Sequence, residues 1–261
     1  MKVVILCGGM GTRLREETEY KPKPLVEIGG KPMLWHIMKI YAHYGIKDFI
    51  LCLGYKGWLI KEFFLNYREK VADVSLTLGE DNSVQFYNFI DENDWKVTLA
   101  ETGENSQTGA RVWNVKKYLE GEKRFCLTYG DGVADINISS LLDTHKKSGL
   151  AGTVTAVHPL GRFGEIEINN NKICEFAEKP NVREGYINGG FMVFDTKQVW
   201  NYFKAGGDLI LEKEVLPKML ADSQLGVFKH GGFWQCVDTL REYNILNKLW
   251  EEDKAPWKIW R

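Results

Sequence analysis

Residues 2–14, KVVILCGGMGTRL, decide the fold class of this 261-residue chain. An apolar run of strand length leads into a loop with three glycines, and Arg13 follows closely. Glycine carries no Cβ and permits positive φ, so successive backbone N–H groups can turn inward and form a concave anion site. The segment predicts a strand followed by a polyphosphate loop, with Arg13 and, from KPKP at 21–24, Lys23 as its charged groups.

Two common phosphate loops do not fit this segment. A dinucleotide-binding loop of the form Gly-x-Gly-x-x-Gly needs a third glycine where Leu14 stands, and a Walker loop needs Gly-Lys-Ser/Thr, which residues 11–13 do not supply. A tight turn after an edge strand is the plain alternative for the glycines. Arg13 and the stiff KPKP segment favour phosphate binding over that alternative.

The rest of the chain repeats the pattern of an apolar strand followed by a helix. Residues 48–55 read as a second buried strand and residues 59–67 as a helix, with 44% hydrophobic residues overall. Continuous apolar strands separated by helices are typical of a parallel sheet covered on both faces, and ligands bind at the carboxyl ends of such strands. We predict an α/β fold: a Rossmann-like, mostly parallel mixed sheet flanked by helices.

Charge and composition exclude several classes of function. The formal net charge of −1 provides no basic field for nucleic acid and no polybasic patch for a membrane surface. No apolar run approaches the roughly 20 residues of a membrane helix, so we expect a soluble, cytoplasmic protein. The five cysteines contain no Cys-x-x-Cys pair and are expected to be buried free thiols, and the histidines lack zinc-ligand spacing.

A polar loop at residues 101–111 precedes a predicted helix from 112 to 119. Hydroxyl and amide groups recognise a base edge and a ribose, so Thr102, Gly103 and Arg111 are candidates for a nucleotide pocket. On spacing alone, however, the favoured interpretation is that Thr108 only caps the helix.

Two aspartates are candidate magnesium ligands. Asp131 lies between glycines at the end of the predicted strand 124–129, where a carboxylate can reach a metal held by phosphates. An Asp in such a turn is equally explained by conformation alone. Asp238 precedes Thr239 and Glu242, which have capping-box spacing, and its charge could merely compensate the helix dipole.

The third quarter of the chain reads as a smaller β-rich unit. Residues 163–176 predict a hairpin with an Asn-rich turn, and Glu178, Lys179 and Asn188 follow it as candidates for binding a sugar and its phosphate. From sequence alone, a solvated Glu-Lys pair is the favoured interpretation. We further predict helical structure over much of 193–202 and 209–220.

The C-terminal tail carries two tryptophans. Trp257 and Trp260 are hard to bury within one subunit, so they predict a subunit interface.

Residues 8–14, 21–25 and 29–33 together resemble the signature of the sugar-1-phosphate nucleotidyltransferases. Over its whole length the chain is similar to the glucose-1-phosphate cytidylyltransferases of that family, which carry a similar Thr-Gly…Thr-Gly-x-Arg segment at 102–111. The resemblance implies that CTP and α-D-glucose 1-phosphate react to CDP-glucose and pyrophosphate. It also implies Mg²⁺ as cofactor, a homo-oligomer, and a role in surface-polysaccharide (O-antigen) synthesis.

The resemblance implies specific residue roles. Arg13 and Lys23 would be catalytic, and Asp131 and Asp238 would bind the metal. The nucleotide would contact Leu6, Cys7, Gly8, Gly9, Met10, Gly11, Thr12, Arg13, Lys23, Thr102, Gly103, Arg111 and Gly130. The sugar phosphate would contact Glu178, Lys179, Asn188 and Gly189. One domain is expected, with a nucleotide half at 1–158, a sugar-phosphate half at 159–238 containing the small β-rich insertion, and a C-terminal helix and tail at 239–261.

Three alternatives remain open at this point. A nucleotidyltransferase that uses dTTP or UTP fits the same motifs. A catalytically silent nucleotide-sugar scaffold is a second possibility, because a fold alone never establishes activity. A Rossmann-type oxidoreductase ranks third, because this chain lacks the third glycine of the dinucleotide-binding loop.

Overall fold

A computed structural model describes residues 1–9, 19–79, 83–88, 91–159, 165–169, 172–177 and 185–260, with only the backbone described in 165–169 and 172–177. The glycine loop from Met10 to Arg13, and Glu178 and Lys179, lie outside these ranges. Within them, no helix is both long and apolar enough to span a bilayer.

The first strand is buried on both faces, as its continuous apolar sequence predicts. Val3, Val4 and Ile5 are fully buried. Val3 and Ile5 point into one hydrophobic core and Val4 and Leu6 into another, because successive side chains of a strand alternate between the two faces. The sheet therefore separates two cores.

The strands among the described residues, in chain order, are β1 (Lys2–Leu6), β2 (Glu27–Ile28), β3 (Lys31–Pro32), β4 (Asp48–Leu53), β5 (Asp73–Leu76), β6 (Val84–Tyr87), β7 (Lys96–Glu101), β8 (Arg124–Tyr129), β9 (Gly132–Ala134), β10 (Gly152–Val157), β11 (Glu165–Asn169), β12 (Lys172–Ala177), β13 (Ile187–Asn188), β14 (Met192–Asp195), β15 (Leu225–His230) and β16 (Trp234–Cys236).

The helices in the same ranges are α1 (Met33–His43), α2 (Gly57–Leu65), α3 (Tyr67–Val71), α4 (Thr108–Asn114), α5 (Ile138–Ser148), α6 (Leu216–Ala221) and α7 (Leu240–Glu251). Shorter turns are the 3₁₀ segments Lys23–Leu25, Lys116–Leu119 and Val199–Asn201, and the π-helical turn Leu211–Val215.

Eight of the described strands form one mixed sheet. Strands β7, β4, β1 and β8 are parallel neighbours in that order. Strand β14 then runs antiparallel between β8 and β10, β13 pairs with the other end of β10, and β15 runs parallel to β10 on its far side. The predicted α/β class with a mostly parallel mixed sheet is confirmed, and the sheet draws strands from both sides of residue 158.

Two small strand pairs also bear on the predictions. The predicted hairpin is present as the antiparallel pair β11 and β12. Strand β9 pairs antiparallel with β16, with Gly132 opposite Cys236. This pairing brings residues about 100 positions apart in the chain to one edge of the molecule.

The prediction of a helix over 193–202 is wrong for its first part. Met192–Asp195 is a strand, followed by a 3₁₀ turn at Val199–Asn201. A four-residue strand buried on both faces contains too few residues to show its period, so its apolar side chains imitate helical spacing. The helical prediction for 209–220 is confirmed by the π turn and α6, with Pro217 in the first turn of α6.

The interface prediction for Trp257 is also wrong. Trp257 is fully buried within the subunit, where its ring stacks on Phe233 and Trp250 and its Nε1 donates to His36 Nδ1 at 3.3 Å. Trp260 is partly buried and packs edge-on against Trp35. The tail folds back onto α1 and α7, which together form a pocket that sequence order does not reveal.

The expectation of buried free thiols holds for most of the cysteines. Cys7, Cys52 and Cys126 are buried and unpaired, and Cys236 is free and partly buried. The side chain of Cys174 lies outside the described residues.

Candidate active site

The candidate site lies beyond the carboxyl ends of β1 and β8, where Gly8 and Gly9 follow β1. Its cavity of about 520 Å³ is of a size that binds small ligands. The lining residues are Leu6, Cys7, Gly8, Gly9, Lys23, Pro24, Glu104, Asn105, Ser106, Gln107, Thr108, Arg111, Tyr129, Gly130, Asp131 and Asp238.

At one end of the cavity a single ammonium group holds two carboxylates together. Lys23 Nζ donates to Asp131 Oδ2 at 2.7 Å and to Asp238 Oδ1 at 2.6 Å. Burial alone would lower the pKa of Lys23, but the charges and hydrogen bonds of Asp131 and Asp238 outweigh burial and raise that pKa. Lys23 therefore stays charged, and the two aspartates converge on one cation.

The two aspartates meet because β9 pairs with β16. Asp131 directly precedes β9, and Asp238 follows β16 after one intervening residue, Val237. The backbone N–H of Val237 donates to the carbonyl of Asp131 at 2.9 Å. This bond extends the pairing of β9 and β16 to the residues next to the two aspartates.

The start of α7 fixes Asp238. Thr239 and Glu242 form the predicted capping box, with both of its hydrogen bonds present. Glu242 Oε2 accepts from the N–H groups of both Asp238, at 2.7 Å, and Thr239, at 2.9 Å. The helix cap thus also holds the backbone of a site residue.

Gly130 allows the two strand ends to meet the KPKP segment. Its N–H donates to Leu6 O at 3.1 Å. A Cβ at this position would lie 2.8 Å from Leu6 O, closer than real Cβ atoms approach, and 3.0 Å from Pro24 Cγ. No larger residue fits between β1, β8 and the 3₁₀ turn at Lys23 without a shift of the backbone.

Arg111 ties the glycine loop to the polar loop opposite. Its guanidinium donates to the carbonyls of Gly8 at 3.0 Å, Gly103 at 2.8 Å and Glu104 at 3.0 Å, and to the Thr102 hydroxyl at 2.9 Å. A Cβ on Gly8 would lie 2.2 Å from this guanidinium, so only glycine admits it. Burial lowers the pKa of Arg111. The guanidinium of arginine stays charged even so, because its ordinary pKa is far above neutral pH. Arg111 therefore holds Gly8 and the polar loop together.

Cys236 lies beside the aspartates but is not a nucleophile. Its Sγ is 3.8 Å from Asp238 Oδ2. Burial, together with the negative charges of Asp238 and Asp131, raises the pKa of the thiol to about 12. A thiol in this state is unreactive near neutral pH.

Tyr129, the last residue of β8, also lines the cavity. Its hydroxyl donates to Glu212 Oε1 at 2.5 Å and accepts from Asn188 Nδ2 at 3.4 Å. Burial and the neighbouring carboxylate of Glu212 raise the pKa of Tyr129 far above its usual value, so its hydroxyl stays protonated.

Comparison with known proteins identifies the family. The nucleotidyl transferase family model matches residues 2–252. The chain belongs to the nucleotidyl transferase family.

Full-length relatives of this nucleotidyl transferase are known. The chain is 47% identical over the whole length of both proteins to glucose-1-phosphate cytidylyltransferase of Salmonella typhimurium. It is 44% identical, again over both full lengths, to a probable glucose-1-phosphate cytidylyltransferase of Bacillus subtilis.

Two solved structures share the fold of this nucleotidyl transferase. HddC from Yersinia pseudotuberculosis matches with a TM-score of 0.66 at 22% identity, covering 95% of this chain and 99% of that one. A putative glucose-1-phosphate thymidylyltransferase from Bacillus anthracis matches with a TM-score of 0.64 at 22% identity, covering 95% of this chain and 94% of that one. These likenesses bear on the fold alone.

The nucleotidyl transferase structure brings most of the described candidate residues into the one cavity. They are Leu6, Cys7, Gly8, Gly9, Lys23, Arg111, Gly130, Asp131 and Asp238. Met10, Gly11, Thr12, Arg13, Glu178 and Lys179 lie outside the described residues.

Thr102 and Gly103 do not line the cavity: Thr102 is buried and Gly103 is exposed. Thr102 is 2% exposed, and its hydroxyl donates to Leu53 O at 2.6 Å while accepting from Arg111. Residues 104–108 line the cavity in their place. The sequence could have indicated residues 104–108 as lining residues, because the amide and hydroxyl side chains of this loop are concentrated there.

Asn188 and Gly189 border the site without lining the cavity. Asn188 reaches it through Tyr129, as described above. Gly189 is buried, and a Cβ there would lie 2.6 Å from Val157. Tyr129 and Glu212 were not among the sequence candidates, because a tyrosine ending a buried strand and a glutamate in a polar helix carry no motif.

Proposed function

We propose that this protein transfers CMP from CTP to α-D-glucose 1-phosphate, giving CDP-glucose and pyrophosphate. The observation that carries the proposal is the convergence of Lys23, Asp131 and Asp238 in a cavity beside the glycine loop. The full-length similarity to the cytidylyltransferase of Salmonella typhimurium supports this choice of substrates.

The chemistry requires charge neutralisation rather than a general base. The attacking oxygen belongs to a phosphate whose second pKa is about 6, so it is already ionised near neutral pH. The obstacle is repulsion between two anions, which in-line positioning and fixed positive groups overcome.

The nucleotide phosphates would lie over the glycine loop. Gly8 and Gly9 offer backbone N–H groups at the end of β1, and Lys23 offers a buried charge at the cavity's edge. Gly11, Met10 and Thr12 would continue the cradle, and Arg13 would stabilise the departing pyrophosphate. In the structure Lys23 contacts both aspartates, and we propose that it also contacts the α-phosphate of a bound nucleotide.

Asp131 and Asp238 would hold Mg²⁺. The two carboxylates already converge on one cationic group, and carboxylate oxygens are the ligands that Mg²⁺ prefers. When bound, the ion would supply positive charge between the nucleotide and the sugar phosphate. Lys23 contacts both carboxylates in the structure, which partly offsets the repulsion between them.

The base and ribose would contact the polar wall at residues 104–108, with Gly130 beneath them. Arg111, Thr102 and Gly103 would support this wall by fixing its backbone to β4 and to Gly8. The sugar phosphate would bind near Asn188 and Gly189, with Glu178 and Lys179 assigned there by the family resemblance.

The hairpin of β5 and β6 bears on the assembly of the protein. The hairpin of β5 and β6 exposes the apolar side chains of Val74, Leu76, Val84 and Tyr87, an arrangement that favours burial against a second copy of the chain. We propose a homo-oligomer in the cytoplasm, where CTP is made, that supplies CDP-glucose for the synthesis of surface polysaccharide such as O-antigen.

A substrate screen tests the proposed function. Pyrophosphate release is measured with glucose 1-phosphate, Mg²⁺ and either CTP, dCTP, UTP or dTTP. We expect release with CTP above all others and none after EDTA. Preference for UTP or dTTP would support the alternative transferase, and tight CTP binding without release would support a silent nucleotide-sugar scaffold.

A further inference from the structure

Glu212 lies just outside the cavity and holds two hydroxyl groups that line it. One carboxylate oxygen accepts from the Tyr129 hydroxyl at 2.5 Å, and the other accepts from the Thr108 hydroxyl at 2.7 Å. Tyr129 belongs to the sugar side of the site and Thr108 to the nucleotide side. A single side chain therefore joins the two sides.

The bond to Glu212 fixes which way the Tyr129 hydroxyl faces. A phenol has one hydrogen, and an ionised carboxylate can only accept, so that hydrogen points to Glu212. The lone pairs of the phenol oxygen face the other way, where Asn188 Nδ2 donates at 3.4 Å. Asn188 is oriented in turn, because its Oδ1 accepts from the N–H of Gly190 at 3.1 Å. Tyr129 thus presents an acceptor to the sugar side.

The turn that carries Glu212 is anchored firmly against α4. Leu211 N donates to the Thr108 hydroxyl at 3.0 Å, and Ala110 N donates to Leu209 O at 3.0 Å. At Gly109, a Cβ would lie 2.9 Å from Leu209 O. The turn itself is π-helical, a rare conformation that is frequent at functional sites.

We propose that Glu212 is a positioning residue for the sugar phosphate: it orients the Tyr129 hydroxyl so that this hydroxyl accepts a hydrogen bond from a hydroxyl group of the sugar. The inference rests on the proposed function, since it assigns a role in the same reaction. Glu212 is not among the residues that line the cavity and would act through Tyr129.

A double-mutant cycle tests this role. Steady-state kinetics are measured for wild type, Glu212→Ala, Tyr129→Phe and the double variant, each with saturating CTP and Mg²⁺. We expect each single change to raise KM for glucose 1-phosphate roughly tenfold, the effect of one lost hydrogen bond, with a smaller change in kcat. The double variant should be no worse than Tyr129→Phe alone, because the two residues act through one bond.

The same turn offers a matched control. Glu214 lies two residues further on, is exposed, and bonds to Ile210 N and Lys204 rather than to a cavity residue. Glu214→Ala should leave KM for glucose 1-phosphate unchanged. Thermal melting shows whether each variant is folded, and Glu212→Met, which is similar in length but has no oxygen to accept the Tyr129 hydrogen, replaces Glu212→Ala if the latter unfolds.

Two outcomes would overturn the inference. An unchanged KM for glucose 1-phosphate in Glu212→Ala, or effects of Glu212→Ala and Tyr129→Phe that multiply in the double variant, would show that Glu212 does not act through Tyr129. In either case an active wild type leaves the proposed function intact. A wild type that forms no CDP-glucose would overturn both.

Discussion

Lys23 is the cation that contacts both carboxylates of the site. Its ammonium group is mostly buried and contacts two carboxylates that would otherwise face each other. Lys21, only two residues earlier, pairs with Glu27 at the surface instead. The two lysines of KPKP therefore differ in role although they share a motif.

This difference predicts a difference in activity. Lys23→Ala should lower kcat at least about 100-fold, corresponding to about 3 kcal/mol of lost transition-state stabilisation. Lys21→Ala should keep kcat within about twofold, since an exposed ion pair contributes little. Pyrophosphate release with CTP and glucose 1-phosphate measures both. A Lys23→Ala enzyme with near-normal turnover would refute the role of this lysine.

At the scale of elements, the start of α7 serves both stability and the site. The Thr239 hydroxyl caps the N–H of Glu242, and Glu242 Oε2 in turn accepts from the backbone N–H of Asp238. The cap of α5, Asn137, accepts from Ser140 N at 2.9 Å and does not line the cavity. The chain therefore has two N-terminal helix caps, of which only the one at α7 is connected to a candidate site residue.

The two caps allow a controlled comparison. Thr239→Ala and Asn137→Ala should each lower the free energy of unfolding by about 1 kcal/mol, because each leaves a helix N-terminal N–H without its acceptor. Only Thr239→Ala should also lower kcat several-fold at 25 °C, since only that cap fixes a proposed metal ligand. Urea unfolding and pyrophosphate release measure the two effects. Equal losses of activity would mean that the cap has no part in placing Asp238.

Elements were predictable from sequence where a signal is local. The apolar runs of β1, β4 and β8 and the capping box at Thr239 are complete within a few residues, and each appears as predicted. Strand β14 was missed because its neighbours β8 and β10, which make it a strand, are distant in sequence. The same reason hid Glu212, whose partners Tyr129 and Thr108 lie 83 and 104 residues away.

At the scale of the whole molecule, the C-terminal tail closes a core on α1. His36 is fully buried there: its Nε2 lies 2.9 Å from Ile28 O, and its Nδ1 accepts from Trp257 Nε1 at 3.3 Å. These partners suit a neutral ring with its hydrogen on Nε2. Burial lowers the pKa of His36 to about 4.

This lowered pKa predicts a loss of stability in acid. The unfolded chain protonates His36 near pH 6.5 and the folded chain only near pH 4, so the unfolded state binds more protons between these values. The contribution of His36 is therefore complete above about pH 6.5 and falls by about 3 kcal/mol as the pH drops through 4.

Urea unfolding from pH 7 to pH 4 measures this contribution. Glutamine can reproduce both hydrogen bonds without titrating, so the stability of wild type relative to His36→Gln should fall by about 2 to 3 kcal/mol over this range. His43→Gln, at the exposed end of the same helix, is the control and should show no such trend. A difference between wild type and His36→Gln that stays constant with pH would contradict this account.

The global packing shows where prediction from sequence ends. The sequence predicted that Trp257 would be hard to bury within one subunit, yet it is buried because α1 and α7 provide a pocket for it. The candidates that carry a motif, Gly8, Lys23, Asp131 and Asp238, line one cavity, and their roles in binding and catalysis stay predictions. The sequence did not show which residues of the polar loop line the cavity. That choice depends on Arg111, whose hydrogen bond to the Thr102 hydroxyl holds Thr102 inside the protein.

The account depends most on where the triphosphate binds. A crystal structure with CTP and Mg²⁺ tests this directly. The account predicts phosphates over the glycine loop that begins at Gly8, with Lys23 Nζ moved onto a phosphate oxygen and metal density between Asp131 and Asp238. A triphosphate bound away from this loop, with Lys23 still holding both aspartates, would contradict it.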